Sequence, residues 1–61
     1  MAKIEVSFIE SDRKIVMAEI NSLGYDYAPY SHNVIIINDI SPNDKEKFIC
    51  FLDEREISWG N

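Results

Sequence analysis

The chain has 61 residues, eleven acidic against six basic side chains, a net charge of −5, and a single cysteine and histidine. At this length one core is the most the chain can build, and it buries only about 60% of the surface its unfolded form exposes. Intramolecular disulfides are excluded by the lone Cys50, and a soft-ligand zinc site is excluded by one Cys and one His. The charge balance argues against direct binding to nucleic acid or anionic lipid.

A secreted chain this short is normally stapled by several disulfides, so the unpaired thiol points to a reducing, cytoplasmic address. The longest unbroken apolar run is residues 34–37, against about 20 residues needed to span a bilayer. No signal-peptide pattern is expected at the start of the sequence.

Residues 3–9 alternate, with Ile4, Val6 and Phe8 on one side and Lys3, Glu5 and Ser7 on the other, which predicts a half-buried strand. Ser11 and Asp12 offer side-chain oxygens to a helix start. Val16, Met17, Ile20 and Leu23 then line one face of a helix over 12–23, and Gly24 stands where a left-handed C-cap is wanted. Residues 25–30 are aromatic and strand-like, but Pro29 confines them to an edge.

Ser31, His32 and Asn33 read as a three-residue turn. The β-branched run 34–37 that follows reads as a central strand. Ser41, Pro42 and Asp44 supply an N-cap, a first-position proline and an acid three residues past the cap, the clearest helix start in the chain. That helix reaches about residue 54, with Phe48, Ile49 and Leu52 facing inward, Phe51 flanking and Cys50 turned away. Ile57 and Trp59 alternate with Glu56 and Ser58 in a short last strand.

The order β-α-β-β-α-β matches the ferredoxin-like split βαβ arrangement, an α+β sandwich with two helices on one face of an antiparallel sheet. Strands one and three are then central, and the proline-bearing and short strands lie at the edges. A three-residue turn pairs Tyr30 with Val34, Ala28 with Ile36 and Asp26 with Asn38, which turns Pro29, Tyr27, Ile35 and Ile37 toward the helices. Lys3, Glu5, Ser7, Glu56 and Ser58 join an uncovered face on which Tyr30, Val34 and Ile36 form an apolar patch.

Several chemistries lack their residues. Metal-carrying domains of this topology hold a Cys-x-x-Cys pair after the first strand, where this chain has Glu10, Ser11, Asp12 and Arg13. Small tautomerases use an N-terminal proline, and Ala2 stands there. Cys50 lies in the C-terminal half of its helix, away from the positive helix end that activates a thiolate. The two glycines, Gly24 and Gly60, make no phosphate-binding loop. Ligand-sensing domains of this topology carry a glycine in the first strand–helix loop, and none is present. The carboxylates Asp44, Glu46, Asp53 and Glu54 are interleaved with Lys45, Lys47 and Arg55 and read as a solvated, ion-paired face. Tyr25, Tyr27 and Tyr30 lack the basic neighbours that RNA-binding sheets carry.

By subtraction the expectation is a non-enzymatic protein-binding module without a cofactor. It has the profile of an inhibitor or antitoxin-like accessory protein of the kind phage and mobile elements encode. Glu5, Asp26, Tyr30, Val34 and Ile36 are the expected contact residues, and the expected partner is a larger protein with a basic surface. A homodimer through the open sheet face, in a small-molecule-sensing or metabolic accessory domain, is the alternative.

Overall fold

The computed structural model describes residues 2–60. Its elements in chain order are β1 (Ala2–Ser7), a single 3₁₀ turn (Glu10–Asp12), α1 (Arg13–Leu23), β2 (Ala28–Ser31), β3 (Val34–Ile40), α2 (Pro42–Glu54) and β4 (Ser58–Gly60). The four strands form one sheet in the order β2-β3-β1-β4, and every pairing is antiparallel. This is the α+β ferredoxin-like arrangement expected, with β1 and β3 inside and β2 and β4 at the edges.

Alternation on the two central strands produces the core. Ile4 and Val6 of β1 and Ile35 and Ile37 of β3 meet Val16 and Ile20 of α1 and Phe48 and Leu52 of α2, and each is 0–2% exposed. Phe8, Ile40 and Ile57 complete the cluster, and no polar side chain is buried with it among the described residues. The rings of Phe48 and Phe51 stack at 5.8 Å between centroids, and the Arg55 guanidinium lies 4.2 Å from the Phe51 ring centre.

Ile40 enters the core through a break in the alternation. Ala2 pairs with Ile40 and Ile4 with Ile37, so the single residue Lys3 stands opposite both Asn38 and Asp39. This bulge puts two exposed residues in succession and returns Ile40 to the covered side. The strand therefore runs three residues past the apolar run that marks it in the sequence.

Both helices end in the same left-handed motif. At the end of α1 the amide of Gly24 donates to Asn21 and Ile20, and that of Tyr25 reaches Ile20. At the end of α2 the amide of Glu56 donates to Asp53 and that of Ile57 to Leu52. The left-handed positions are Gly24 at φ 79° and Glu56 at φ 56°, and the second carries a side-chain penalty that the first avoids.

The N-termini differ. Ser41 caps α2 by accepting the Asp44 amide at 3.3 Å, with Pro42 in the first turn, as the sequence predicts. The side chains of Ser11 and Asp12 make no such bond, because these residues form the 3₁₀ turn that leads into α1, with Asp12 itself in helical conformation.

Three other expectations are corrected. Residues 25–27 lie outside the sheet, since the Tyr25 amide is engaged in the α1 cap and its hydroxyl at the start of α2. The β2–β3 turn has two residues, His32 and Asn33. Ser31 and not Tyr30 pairs with Val34, and Tyr30 is the extra residue of a bulge between Pro29 and Ser31. Neither turn residue takes a positive φ. A two-residue turn of that kind splays its strands, and the bulge restores the twist. Finally, all four residues of β2 are exposed and so is Tyr27. Pro29 shares the register of Ile35, but the helices cover β1 and β3 and stop short of the edge strand.

Candidate protein-binding surface

The registers give the uncovered face as two rows crossing all four strands. One row is Ala28, Ile36, Glu5 and Gly60, and the next is Ser31, Val34, Ser7 and Ser58. Ile36 and Val34 stand at the centre of their rows, half-buried by their neighbours alone, and the residues toward the two edges are small. The result is a hydrogen-bonded sheet surface with a short apolar centre. Glu5 is its one charged member, half-buried and directly across from Ile36.

Of the expected contact residues, Glu5, Val34 and Ile36 therefore lie on one face as the sequence implies. Ala28 pairs with Ile36 as expected. Tyr30, the extra residue of the β2 bulge next to Ser31, is 74% exposed, the most exposed of the large apolar side chains among the described residues. Asp26 does not pair with Asn38 in the ladder. Both instead line a cleft walled by residues 24–28 on one side and by Asn38 and Asp39 on the other. Asp39 enters this cleft only because of the β3 bulge, and no local pattern in the sequence announces it.

Two polar clusters fix the geometry around the face. At the turn end, the Arg13 guanidinium donates to the His32 carbonyl and lies 3.6 Å from Glu10, whose carboxylate is 3.3 Å from His32 Nε2. The Arg13 guanidinium also stands 5.4 Å from the centre of the Phe8 ring. His32 thus does more than turn the chain: with Arg13 and Glu10 it ties the β2–β3 hairpin to the start of α1. Each such exposed pair contributes about 0–1 kcal/mol.

At the other end, the Tyr25 hydroxyl accepts the Ser41 amide at 3.2 Å and donates to Asp44 Oδ2 at 2.5 Å. In a capping box the acid itself reaches back to the cap amide. Here a tyrosine from 16 residues upstream takes that role and bridges the amide to the acid. The Tyr25 hydrogen bond, followed by those of Ser41 and the charge of Lys47, holds the Asp44 carboxyl below the usual aspartate range, while desolvation acts the other way. At the far end of α2, Trp59 Nε1 donates to Asp53 Oδ1 at 2.9 Å. Two of the carboxylates expected to be merely solvated are thus held by aromatic donors, one at each end of α2.

Other surface features are separate from this face. Ile9, read as the last residue of the first strand, lies beyond β1 and is 66% exposed beside a second cleft near Arg55 and Ile57. Cys50 is exposed on α2 next to Asn43, Glu46 and Lys47. Among the described residues no three His, Cys, Asp or Glu side chains are grouped to hold a metal ion, and no helix is long and apolar enough to cross a membrane.

No protein-family model, no curated protein and no solved structure matches this chain.

Proposed function

We propose that this chain is a small, acidic, non-enzymatic protein-binding module that docks its open sheet face on a larger protein, in the manner of an inhibitor or antitoxin-like regulator. The observation that carries the reading is the pair of cross-strand rows centred on Val34 and Ile36, flanked by the exposed Tyr30. Side chains on paired central strands are already ordered, so little conformational entropy is lost when a partner covers them. An aromatic residue beside a small apolar centre is the composition in which interface energy concentrates.

The test is affinity capture from the native cell with the wild type and with Tyr30→Glu combined with Ile36→Glu. Loss of the contacts at Tyr30 and Ile36, about 2 kcal/mol each, removes the captured protein, while far-UV circular dichroism stays that of the wild type. A folded double variant that still captures the same protein overturns the sheet-face reading.

A second reading draws on the cleft beside Ala28: a small-molecule-sensing or metabolic accessory domain that dimerises through the same face. It requires a dimer by light scattering and a melting temperature that rises with a small ligand. Docking on a larger protein requires a monomer whose melting temperature responds to that protein.

A further inference from the structure

We infer that the partner covering the open face is cationic, and that it brings arginine or lysine side chains to the end of the face where Asp26 and Asp39 line the cleft. This rests on the docking reading above and names the chemistry of its partner. Around the face and cleft stand the carboxylates of Glu5, Asp26 and Asp39, and the nearest cation along β1 is the exposed Lys3, opposite the Asn38–Asp39 bulge. Neither Asp26 nor Asp39 is ion-paired among the described residues.

The surrounding chain offers them no compensation. Residues 15–44, which supply β2, β3 and the whole cleft, contain no Lys or Arg. His32 stands at the turn end against Glu10. Tyr27 lines the same cleft and adds an aromatic surface suited to a guanidinium.

The same charges decide between occupants. A second copy would bring a net charge of −5 against a chain of the same charge, and like net charges work against association. Nucleic acid and anionic lipid meet the same repulsion. A basic protein surface gains steering toward the face and partners for both aspartates.

The test uses the intact chain, ¹⁵N-labelled, titrated with a blocked Arg-Leu-Gly-Arg-Leu-Gly-Arg peptide and with its glutamate counterpart. Amide shifts should concentrate on Asp26, Ala28, Ile36 and Asp39 with the arginine peptide alone. Asp26→Asn with Asp39→Asn should weaken binding by about three- to tenfold, the effect of two exposed charge pairs, whereas Lys3→Glu should strengthen it. Shifts clustered on the outer face of α2 around Glu46 and Glu54, equal response to the glutamate peptide, or unchanged affinity in the double variant would overturn the inference. Concentration-dependent shifts of the free protein with a dimer mass would also overturn it, in favour of a second copy. If any of these occurs while Tyr30→Glu with Ile36→Glu still abolishes capture, the cationic partner fails and the docking face stands.

Discussion

The two faces of the sheet are built from alternate residues of the same strands, yet they obey different rules. On the covered side, Ile4, Val6, Ile35 and Ile37 are 0–2% exposed under two helices, and their identity is fixed by packing. On the other side, Glu5 and Ile36 stand directly opposite each other and both keep partial contact with solvent. The contrast separates residues that hold the fold from residues left at the surface.

That separation can be attacked first from the covered side. Phe48 is fully buried and stacks on Phe51, so Phe48→Ala should cost about 3–5 kcal/mol. A domain of this length has only about 3–9 kcal/mol in total, and urea titration by circular dichroism should find the variant largely unfolded. A well-folded Phe48→Ala protein would mean that the core is not where the structure places it.

A smaller effect is expected where α2 is seated. Tyr25→Phe removes the hydroxyl that joins the Ser41 amide to Asp44 and should lower the urea midpoint at neutral pH. The variant should also change the acid response. A carboxyl whose folded pKa lies below its unfolded value adds stability that is fully present above the unfolded pKa and is lost as pH falls through the folded one. Asp44 is lowered in this way. The wild type should therefore lose stability on acidification through this group, and Tyr25→Phe should decline less steeply. Parallel declines would show that the tyrosine does not set the Asp44 carboxyl. Docking at the open face should survive the substitution, because neither Tyr30 nor Ile36 touches this cap.

The smallest effect sharpens the account in the stabilising direction. Glu56 occupies a left-handed position that Gly24 fills at the end of the other helix. Relief of a penalty of about 1–2 kcal/mol, partly offset by the greater freedom glycine has in the unfolded chain, should leave Glu56→Gly more stable by about 0.5–1 kcal/mol. An unchanged or lower midpoint would refute the strain.

The parts of the fold legible in the sequence are those with local causes. Alternation marks β1, Gly24 ends α1, Ser41 and Pro42 start α2, and Pro29 assigns β2 to an edge. What escaped was set by contacts between distant segments. The bulge at Asn38 and Asp39 follows from the register against β1, so no local pattern marks Ile40 as a core residue or brings Asp39 to the same cleft as Asp26. The bulge at Tyr30 follows from a turn one residue shorter than its composition implied. Tyr25 looked like a strand residue because its aromatic neighbourhood suits one, whereas its hydroxyl belongs to a helix cap formed 16 residues later. Glu5, Val34 and Ile36 fall on the face their alternation implies, since β1 and the first half of β3 alternate without interruption.

The most direct test compares two neighbours. Ile36→Asp and Ile37→Asp place the same carboxylate one residue apart on β3, on opposite faces of the sheet. In urea titrations followed by circular dichroism, Ile37→Asp should abolish the folded state, whereas Ile36→Asp should keep a cooperative transition near that of the wild type. Equal collapse of both proteins would contradict an uncovered face, and with it the surface on which the binding role depends.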